Sequence, residues 1–100
     1  MARTWPFSGK RERRIPCDHL DQIKVEPADE VAGCEECLAI GAVWVHLRTC
    51  LTCGRVGCCD SSPNRHASKH ALAEEHPIVR SAEPGESWCY CFPDEVMFEL

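Results

Sequence analysis

The sequence predicts a small domain of short strands and one main helix that is held together by bound metal ions. The chain has 100 residues, about the size of one domain. A chain of this length buries too little apolar surface for a stable fold without cross-links or bound metal. It also contains nine cysteines and five histidines, and the segments between them show the patterns of strands and of a helix.

The cysteines could form disulfides or bind metal ions, and the sequence favours metal. Disulfides belong to oxidising compartments, and residues 1–16 contain no apolar run that could serve as the core of a signal peptide. Nine is an odd number, and histidines lie among the cysteines at regular offsets, as metal ligation requires and cystine pairing does not. We therefore expect a zinc-binding protein of the cytoplasm.

Charge divides the chain into a flexible basic arm, residues 1–16, and a single acidic domain, residues 17–100. The arm is rich in lysine and arginine, whereas the whole chain has a formal charge of −5. An acidic domain disfavours binding to nucleic-acid phosphates, which requires clustered basic residues. No segment approaches the 18 apolar residues of a membrane span. We expect a monomer that contacts neither nucleic acid nor membrane.

The secondary-structure patterns predict one helix among several short strands. Weak alternation predicts a strand at residues 20–25, and a β-favouring apolar run predicts another at 42–47. Ser61-Ser62-Pro63 supplies an N-cap and a first-turn proline, so a helix is expected over residues 63–75. The remaining elements are strands at 78–81, 88–92 and 95–100 and a turn at 83–86.

Two Cys-x2-Cys pairs, separated by twelve residues, are a strong zinc signature. Thiolate sulfur and neutral imidazole nitrogen suit this borderline-soft ion, and four such ligands close its coordination shell. A closed shell leaves no open position for chemistry, so we expect a binding module with no catalytic residues rather than an enzyme. Setting aside His46 and one of the nine cysteines leaves eight cysteines and four histidines, which can fill three tetrahedral sites.

An ordered set of motifs spans residues 17–92. It consists of Cys17-Asp-His19-Leu20, Cys34-x2-Cys37, Trp44-Val-His-Leu, Cys50-Leu-Thr-Cys53, Cys58, the histidines at 66, 70 and 76, and Trp88-Cys-Tyr. This set resembles the UBP-type zinc finger of ubiquitin-specific proteases and of some ubiquitin ligases and deacetylases. The resemblance implies an α+β fold in which a twisted antiparallel sheet has one main helix packed across it.

Members of this family that hold three zinc ions bind them in a cross-braced way. Carried over to this sequence, the three ligand sets are Cys34, Cys37, Cys58 and His66; Cys50, Cys53, His70 and His76; and Cys17, His19, Cys89 and Cys91. The spacing alone leaves another pairing open, because His66 and His70 lie four residues apart on the predicted helix. They could bind one ion with the second Cys-x2-Cys pair, Cys50 and Cys53, which we call the second knuckle. His76 would then bind with the first pair, Cys34 and Cys37, the first knuckle.

The third ligand set departs from the family pattern. The family commonly separates its last two cysteines by two residues, whereas one residue separates Cys89 from Cys91. Cys59 could therefore replace Cys89 as the fourth ligand. We expect three zinc ions, or two if this set is degraded.

The resemblance also implies a protein-interaction function. Better-known members bind the free C-terminal Gly-Gly of ubiquitin in a pocket, and the aromatic residues that match this pocket are Trp44, Trp88 and Tyr90. His46 falls outside the pattern and is interpreted as an ordinary strand residue.

The charge in the matching pocket differs from that of the family. Ubiquitin-binding members place an arginine two residues after the cysteine that matches Cys58, and this chain has Asp60 there. Arg55 or Arg65 could supply the missing charge, or the pocket could take the C-terminal peptide of a ubiquitin-like protein. The alternative function is a zinc-stabilised nucleic-acid-binding or regulatory domain that does not bind ubiquitin.

Overall fold

The computed structural model describes residues 17, 19–28 and 30–99, so the predicted arm lies outside the described residues. The elements, in chain order, are a 3-10 helix at Leu20–Gln22, α1 at Glu35–Ile40, β1 at Leu47–Cys50, β2 at Val56–Cys58, α2 at His66–Glu74, β3 at Ile78–Ser81, β4 at Trp88–Cys91 and β5 at Val96–Glu99. None of these helices is long and apolar enough to cross a bilayer. The predicted α+β fold, with one main helix and an antiparallel sheet, is confirmed.

The five strands form one sheet in the order β2-β1-β3-β4-β5, with every neighbouring pair antiparallel. Successive side chains of a strand point to opposite faces of the sheet. In β4 the sulfurs of Cys89 and Cys91 therefore share the buried face, while Trp88 and Tyr90 lie on the other, more exposed face. This alternation gives β4 a buried face that carries thiols and a more exposed face that carries aromatic rings.

The apolar core is small and consists largely of cysteine. One buried cluster contains Cys17, Leu51, Ile78, Cys89 and Cys91, and the other contains Cys34, Cys37, Leu47, Val56 and Cys58. Six of these ten residues are cysteines, which bury less apolar area than leucine or isoleucine. Packing alone therefore stabilises this fold weakly, as the sequence predicts.

Helix α1 was not predicted from the sequence because its first turn belongs to the first zinc knuckle. Cys34 is its N-cap, and the Cys34 sulfur accepts a hydrogen bond from the backbone N–H of Cys37 at 3.4 Å. A thiol is not among the usual N-cap side chains. The helix ends at Gly41 in the left-handed conformation, so the Cys-x2-Cys turn continues into a short helix.

The strand predicted at residues 42–47 is wrong for all but its last residue, because β1 begins at Leu47. The N–H of Val45 donates to the Ser62 hydroxyl at 2.8 Å instead of joining a strand ladder. Trp44 lies so close to Gly33 that a Cβ atom there would come within 2.5 Å of the indole ring. These contacts hold the segment as a loop over the start of α1.

The strand predicted at residues 20–25 is also wrong. The segment begins with the 3-10 helix, and the N–H groups of Lys24 and Val25 both donate to the carbonyl of Leu51. A single acceptor for two neighbouring donors is incompatible with a regular ladder. The bend instead turns Cys17 and His19 towards β4.

Helix α2 begins at His66, three residues later than predicted. The predicted N-cap, Ser62, lies four residues before the helix, and its hydroxyl accepts the N–H of Val45 instead. Arg65, with a φ of 48°, is the residue before the first turn. The predicted strands at the C-terminal end of the chain agree with β3, β4 and β5 to within one or two residues.

Gly57 allows α2 to pack directly on β2. A Cβ atom at this position would lie 2.8 Å from the backbone nitrogen of Ala67 and 2.9 Å from its Cα. These are backbone atoms of the helix and cannot rotate away. The close approach therefore sets how near the histidines of α2 lie to the cysteines of the sheet.

We expect Gly57→Ala to lower the free energy of unfolding by about 1 to 3 kcal/mol, because the added methyl group must push α2 away from the sheet. Denaturant unfolding of the zinc-loaded protein measures this change. Gly41→Asn is the matched control, since nothing lies within 4 Å of its Cβ position and asparagine tolerates the left-handed conformation. Equal stability of the two variants would contradict the close packing.

Candidate metal centres

The first candidate centre joins the first knuckle to β2 and the start of α2. It consists of Cys34, Cys37, Cys58 and His66, of which the three cysteines are fully buried. The Nδ1 atom of His66 lies 3.2, 3.4 and 3.6 Å from the sulfurs of Cys34, Cys37 and Cys58. These residues come from three separate elements, which they tie together.

The second candidate centre joins the second knuckle, which begins at the last residue of β1, to the second turn of α2 and to the segment just after that helix. It consists of Cys50, Cys53, His70 and His76. The Cys53 sulfur lies 3.3 Å from His70 Nε2, and the Cys50 sulfur lies 3.4 Å from His76 Nδ1. The two histidine nitrogens are 3.1 Å apart, so all four ligand atoms face one point.

The third candidate centre joins the beginning of the described chain to the β4–β5 turn. It consists of Cys17, His19, Cys91 and Asp94. The Nδ1 atom of His19 lies 3.4 Å from the Cys91 sulfur and 3.5 Å from Asp94 Oδ2. Cys17 and Cys91 are fully buried, and His19 is nearly so.

The spacing within all three groups fits tetrahedral zinc. With ligands at about 2.0 Å for nitrogen and 2.3 Å for sulfur, a tetrahedron separates its corners by roughly 3.3 to 3.8 Å. In each group the ligand atoms lie within 4.8 Å of one another. The donor sets of thiolates, imidazoles and one carboxylate are those that zinc accepts. The residues present therefore fit the metal that their chemistry implies.

The electrostatic environment of the sulfurs favours their neutral form until a cation is bound. Burial, together with the neighbouring sulfurs of Cys34 and Cys58, raises the pKa of the Cys37 thiol to about 11. Burial is also the main cause that raises the pKa of Cys91 to about 12, and the nearby Cys17 sulfur adds to it. A divalent cation among these sulfurs reverses this balance, so metal binding displaces protons.

Eleven of the twelve predicted ligands fall within the three groups, in the cross-braced pairing that the resemblance implies. The alternative pairing would need His66 beside the second knuckle, whereas the structure places it beside the first. Cys89 is the exception, because it is buried in the apolar cluster and Asp94 takes the fourth place in its group. Asp94 is not among the predicted ligands, which are cysteines and histidines only.

The ninth cysteine, Cys59, belongs to none of the groups and does not replace Cys89. Its sulfur lies 3.6 Å from the Ser62 hydroxyl, at the edge of a surface cavity. Burial acts to raise the pKa of this thiol, but hydrogen bonds from Ser62 and Ser61 and the charge of Arg48 outweigh it and lower the pKa to about 7. His46 is exposed and likewise lies outside the groups.

The cavity, of about 230 Å³, lies between α2 and the exposed face of β4. Trp88 and Tyr90 both line it, together with Arg48, Asp60, Phe92 and Met97. Trp44 does not line this cavity. Its indole packs on Gly33 beside the first knuckle, where it borders a different depression with Leu38 and Val43. The structure thus brings together two of the three predicted pocket aromatics.

Arg48 and Asp60 place opposite charges on the cavity wall. The guanidinium of Arg48 lies 4.5 Å above the centre of the Trp88 ring and donates to the Leu47 carbonyl at 2.8 Å. No carboxylate among the described residues lies within ion-pair distance of Arg48. Burial raises the pKa of Tyr90, and the charges of Glu95 and Asp60 add to this shift.

The sequence suggested Arg55 or Arg65 as the source of positive charge in the pocket, but neither of them lines the cavity. Arg55 instead pairs with Glu36 at 3.4 Å.

Comparison with known proteins identifies relatives of the chain. The sequence model of a family described as Zn-finger in ubiquitin-hydrolases and other protein matches residues 34–99. A protein from Rhodopseudomonas palustris, known from a solution NMR structure, is similar in fold with a TM-score of 0.75. It is 53% identical in sequence, and the match covers 86% of this chain and 83% of that chain.

We expect removal of metal to unfold the protein, because a structural zinc ion contributes on the order of 10 kcal/mol, comparable with the whole stability of a small domain. Circular dichroism before and after exhaustive chelation measures this loss. Adding back one equivalent of zinc per site should restore the spectrum. An unchanged spectrum after chelation would show that the apolar core suffices without metal.

We also expect His70→Ala to lower the zinc content measured by native mass spectrometry by one ion. His70 contributes its Nε2 atom to the second group. His46→Ala is the matched control, since His46 is exposed and belongs to none of the groups. Equal zinc content in the two variants would remove His70 from the ligands.

Proposed function

Because the chain belongs to the UBP-type zinc-finger family, we propose that it is a zinc-stabilised module that binds the free C-terminal peptide of ubiquitin or a ubiquitin-like protein. In this proposal the functional unit is residues 17–100, and the basic residues 1–16, which lie outside the described residues, are not part of it. Every residue that lines the cavity belongs to this unit. In the proposed module the zinc ions hold the sheet and α2 in place, and the peptide binds to the surface that they create.

The shape and chemistry of the cavity support a peptide ligand. Binding sites are commonly concave, mostly apolar and aromatic, with a few polar groups that fix the orientation of the ligand. Here Trp88, Tyr90 and Phe92 supply aromatic surface, and the Tyr90 and Phe92 rings meet edge to face at 5.1 Å. A volume of about 230 Å³ suits one or two small residues at the end of a peptide rather than a longer segment.

Arg48 is the observation that carries this proposal. A guanidinium presents paired N–H donors that match a carboxylate, and stacking on an aromatic ring leaves these donors available at its edge. In this cavity Arg48 is stacked on Trp88 and has no carboxylate partner among residues 17, 19–28 and 30–99. We assign it the carboxylate-binding role that an arginine at position 60 has in other family members.

Asp60 adjusts the selectivity of the same cavity. Its negative charge repels the terminal carboxylate, and the arginine usual in the family would attract it. A ligand with a basic group near its free carboxylate would offset this repulsion. The cavity is therefore proposed to bind ubiquitin itself more weakly than arginine-containing relatives do, and to prefer tails that carry a positive charge.

We expect a peptide with a free C-terminal carboxylate to bind at least tenfold more tightly than its C-terminal amide, as measured by isothermal titration calorimetry. A charge-assisted hydrogen bond contributes about 1.5 to 3 kcal/mol, or roughly ten- to a hundredfold in affinity. The peptides should include the C-terminal tails of ubiquitin and of ubiquitin-like proteins. Equal affinity for acid and amide would contradict the proposal.

We expect Arg48→Gln to abolish this preference for the free acid while Arg55→Gln preserves it. Both substitutions remove one positive charge, but Arg55 is exposed, pairs with Glu36 and does not line the cavity. Asp60→Asn should increase affinity for the free acid, because it removes the like charge. If Arg55→Gln and Arg48→Gln weaken binding equally, general charge rather than the cavity is responsible, and binding to oligonucleotides would then favour the alternative function.

A further inference from the structure

The third candidate centre differs from the other two in its fourth member. We propose that Asp94, and not Cys89, completes this zinc site, and that the site thereby fixes the β4–β5 turn from which Phe92 reaches the cavity. This inference rests on the zinc-binding part of the proposed function and is independent of the identity of the peptide.

Strand geometry disfavours Cys89 and Cys91 as joint ligands, and Cys89 lies outside the group that contains Cys91. The two residues lie two positions apart in β4, and a strand rises about 3.3 Å per residue, which separates their side chains by roughly 6.6 Å. Two sulfurs on one tetrahedral zinc ion lie only about 3.8 Å apart. Both residues are paired with β3 on one side and with β5 on the other, so β4 is extended at both positions.

Asp94 instead reproduces the geometry of the two Cys-x2-Cys knuckles. In the first knuckle the sulfur of Cys34 accepts the N–H of the residue three positions later, and Cys50 does the same in the second. The Cys91 sulfur accepts the N–H of Asp94 in the same way. The Glu95 N–H closes this turn on the Cys91 carbonyl at 2.7 Å. The β4–β5 turn is thus a zinc knuckle in which a carboxylate stands for the second thiolate.

The environments of the two side chains agree with this assignment. The Asp94 side chain is only 15% exposed, and its Oδ2 lies 3.5 Å from His19 Nδ1, a separation typical of two ligands on one ion. A carboxylate oxygen is an accepted zinc ligand at about 2.0 to 2.2 Å. Cys89 is fully buried beside Leu51 and Ile78, where its role is that of a small apolar side chain.

The turn that this site holds also forms part of the cavity. Phe92 directly follows Cys91 and packs edge to face on Tyr90, and Met97 lies opposite Tyr90 in the pairing of β4 with β5. Phe92 and Met97 both line the cavity. Cation binding on one face of β4 therefore fixes aromatic side chains on its other face.

Native mass spectrometry of three proteins tests the ligand assignment. We expect three zinc ions in the natural protein, two in Asp94→Asn and three in Cys89→Ala. Asparagine keeps the size of the side chain but removes the charge that favours zinc. Three ions in Asp94→Asn together with two in Cys89→Ala would overturn the inference while leaving zinc binding itself intact. Loss of no ion in either variant would overturn it as well.

A second measurement tests the link to the cavity without any peptide. In ¹H–¹⁵N spectra of Asp94→Asn we expect large shifts for Phe92 and Tyr90, while the resonances of α2 keep their native positions and so report that the domain is folded. Asp94→Cys should restore three zinc ions and the native Phe92 and Tyr90 shifts, because it rebuilds a Cys-x2-Cys knuckle. Unperturbed Phe92 and Tyr90 in Asp94→Asn at two zinc ions would overturn the link.

Discussion

The convergence of ligands from distant parts of the chain is the constraint on which the rest of the structure depends. The third group alone joins His19 to Cys91, residues that are 72 positions apart. Ordering so many segments costs conformational entropy that the cysteine-rich apolar clusters offset only in part. Burial, with a smaller effect of the neighbouring sulfurs, raises the pKa of the Cys37 and Cys91 thiols, so their thiolate forms are unfavourable until a cation lies among them.

This constraint also explains the arrangement of the sheet. Each candidate centre lies where a strand ends or a knuckle turns, so coordination would fix the ends of elements while hydrogen-bonded ladders fix their middles. Helix α2 contributes to two of the groups through His66 and His70, and Gly57 allows it to lie directly against β2. The helix is thus held at its first residue and in its second turn, and its side towards β4 forms one wall of the cavity.

The charges on the cavity wall are the basis of the proposed selectivity. At position 60, where the resemblance implies an arginine, this chain has an aspartate. Arg48 reaches the cavity from β1 and stacks on Trp88 of β4. The positive charge on the wall thus comes from a strand of the sheet, and the loop after β2 contributes a negative charge. The proposed selectivity follows from this arrangement.

Much of the fold followed from local patterns. The β-favouring runs near the C-terminus predicted β3, β4 and β5, and the helix formers before Pro77 predicted α2 with a start three residues too early. By contrast, local patterns did not predict α1 and β2. Helix α1 is capped by the thiol of Cys34, and β2, Val56–Cys58, is too short to show the alternation of a strand.

The sequence by itself determined the kind of protein: the cysteine and histidine spacing specified zinc knuckles, and the ordered motifs specified the family. Only the tertiary structure decided which side chains meet. The extended geometry of β4 separates Cys89 from Cys91, and the turn after β4 brings in Asp94. The pairing of β1 with β3, and of β3 with β4, brings Arg48 to Trp88. The physical reason is that a knuckle is local, with both ligands in one turn, whereas a fourth ligand or a cavity wall depends on contacts between residues far apart in the chain, for which an aspartate or arginine carries no sequence signal of its own.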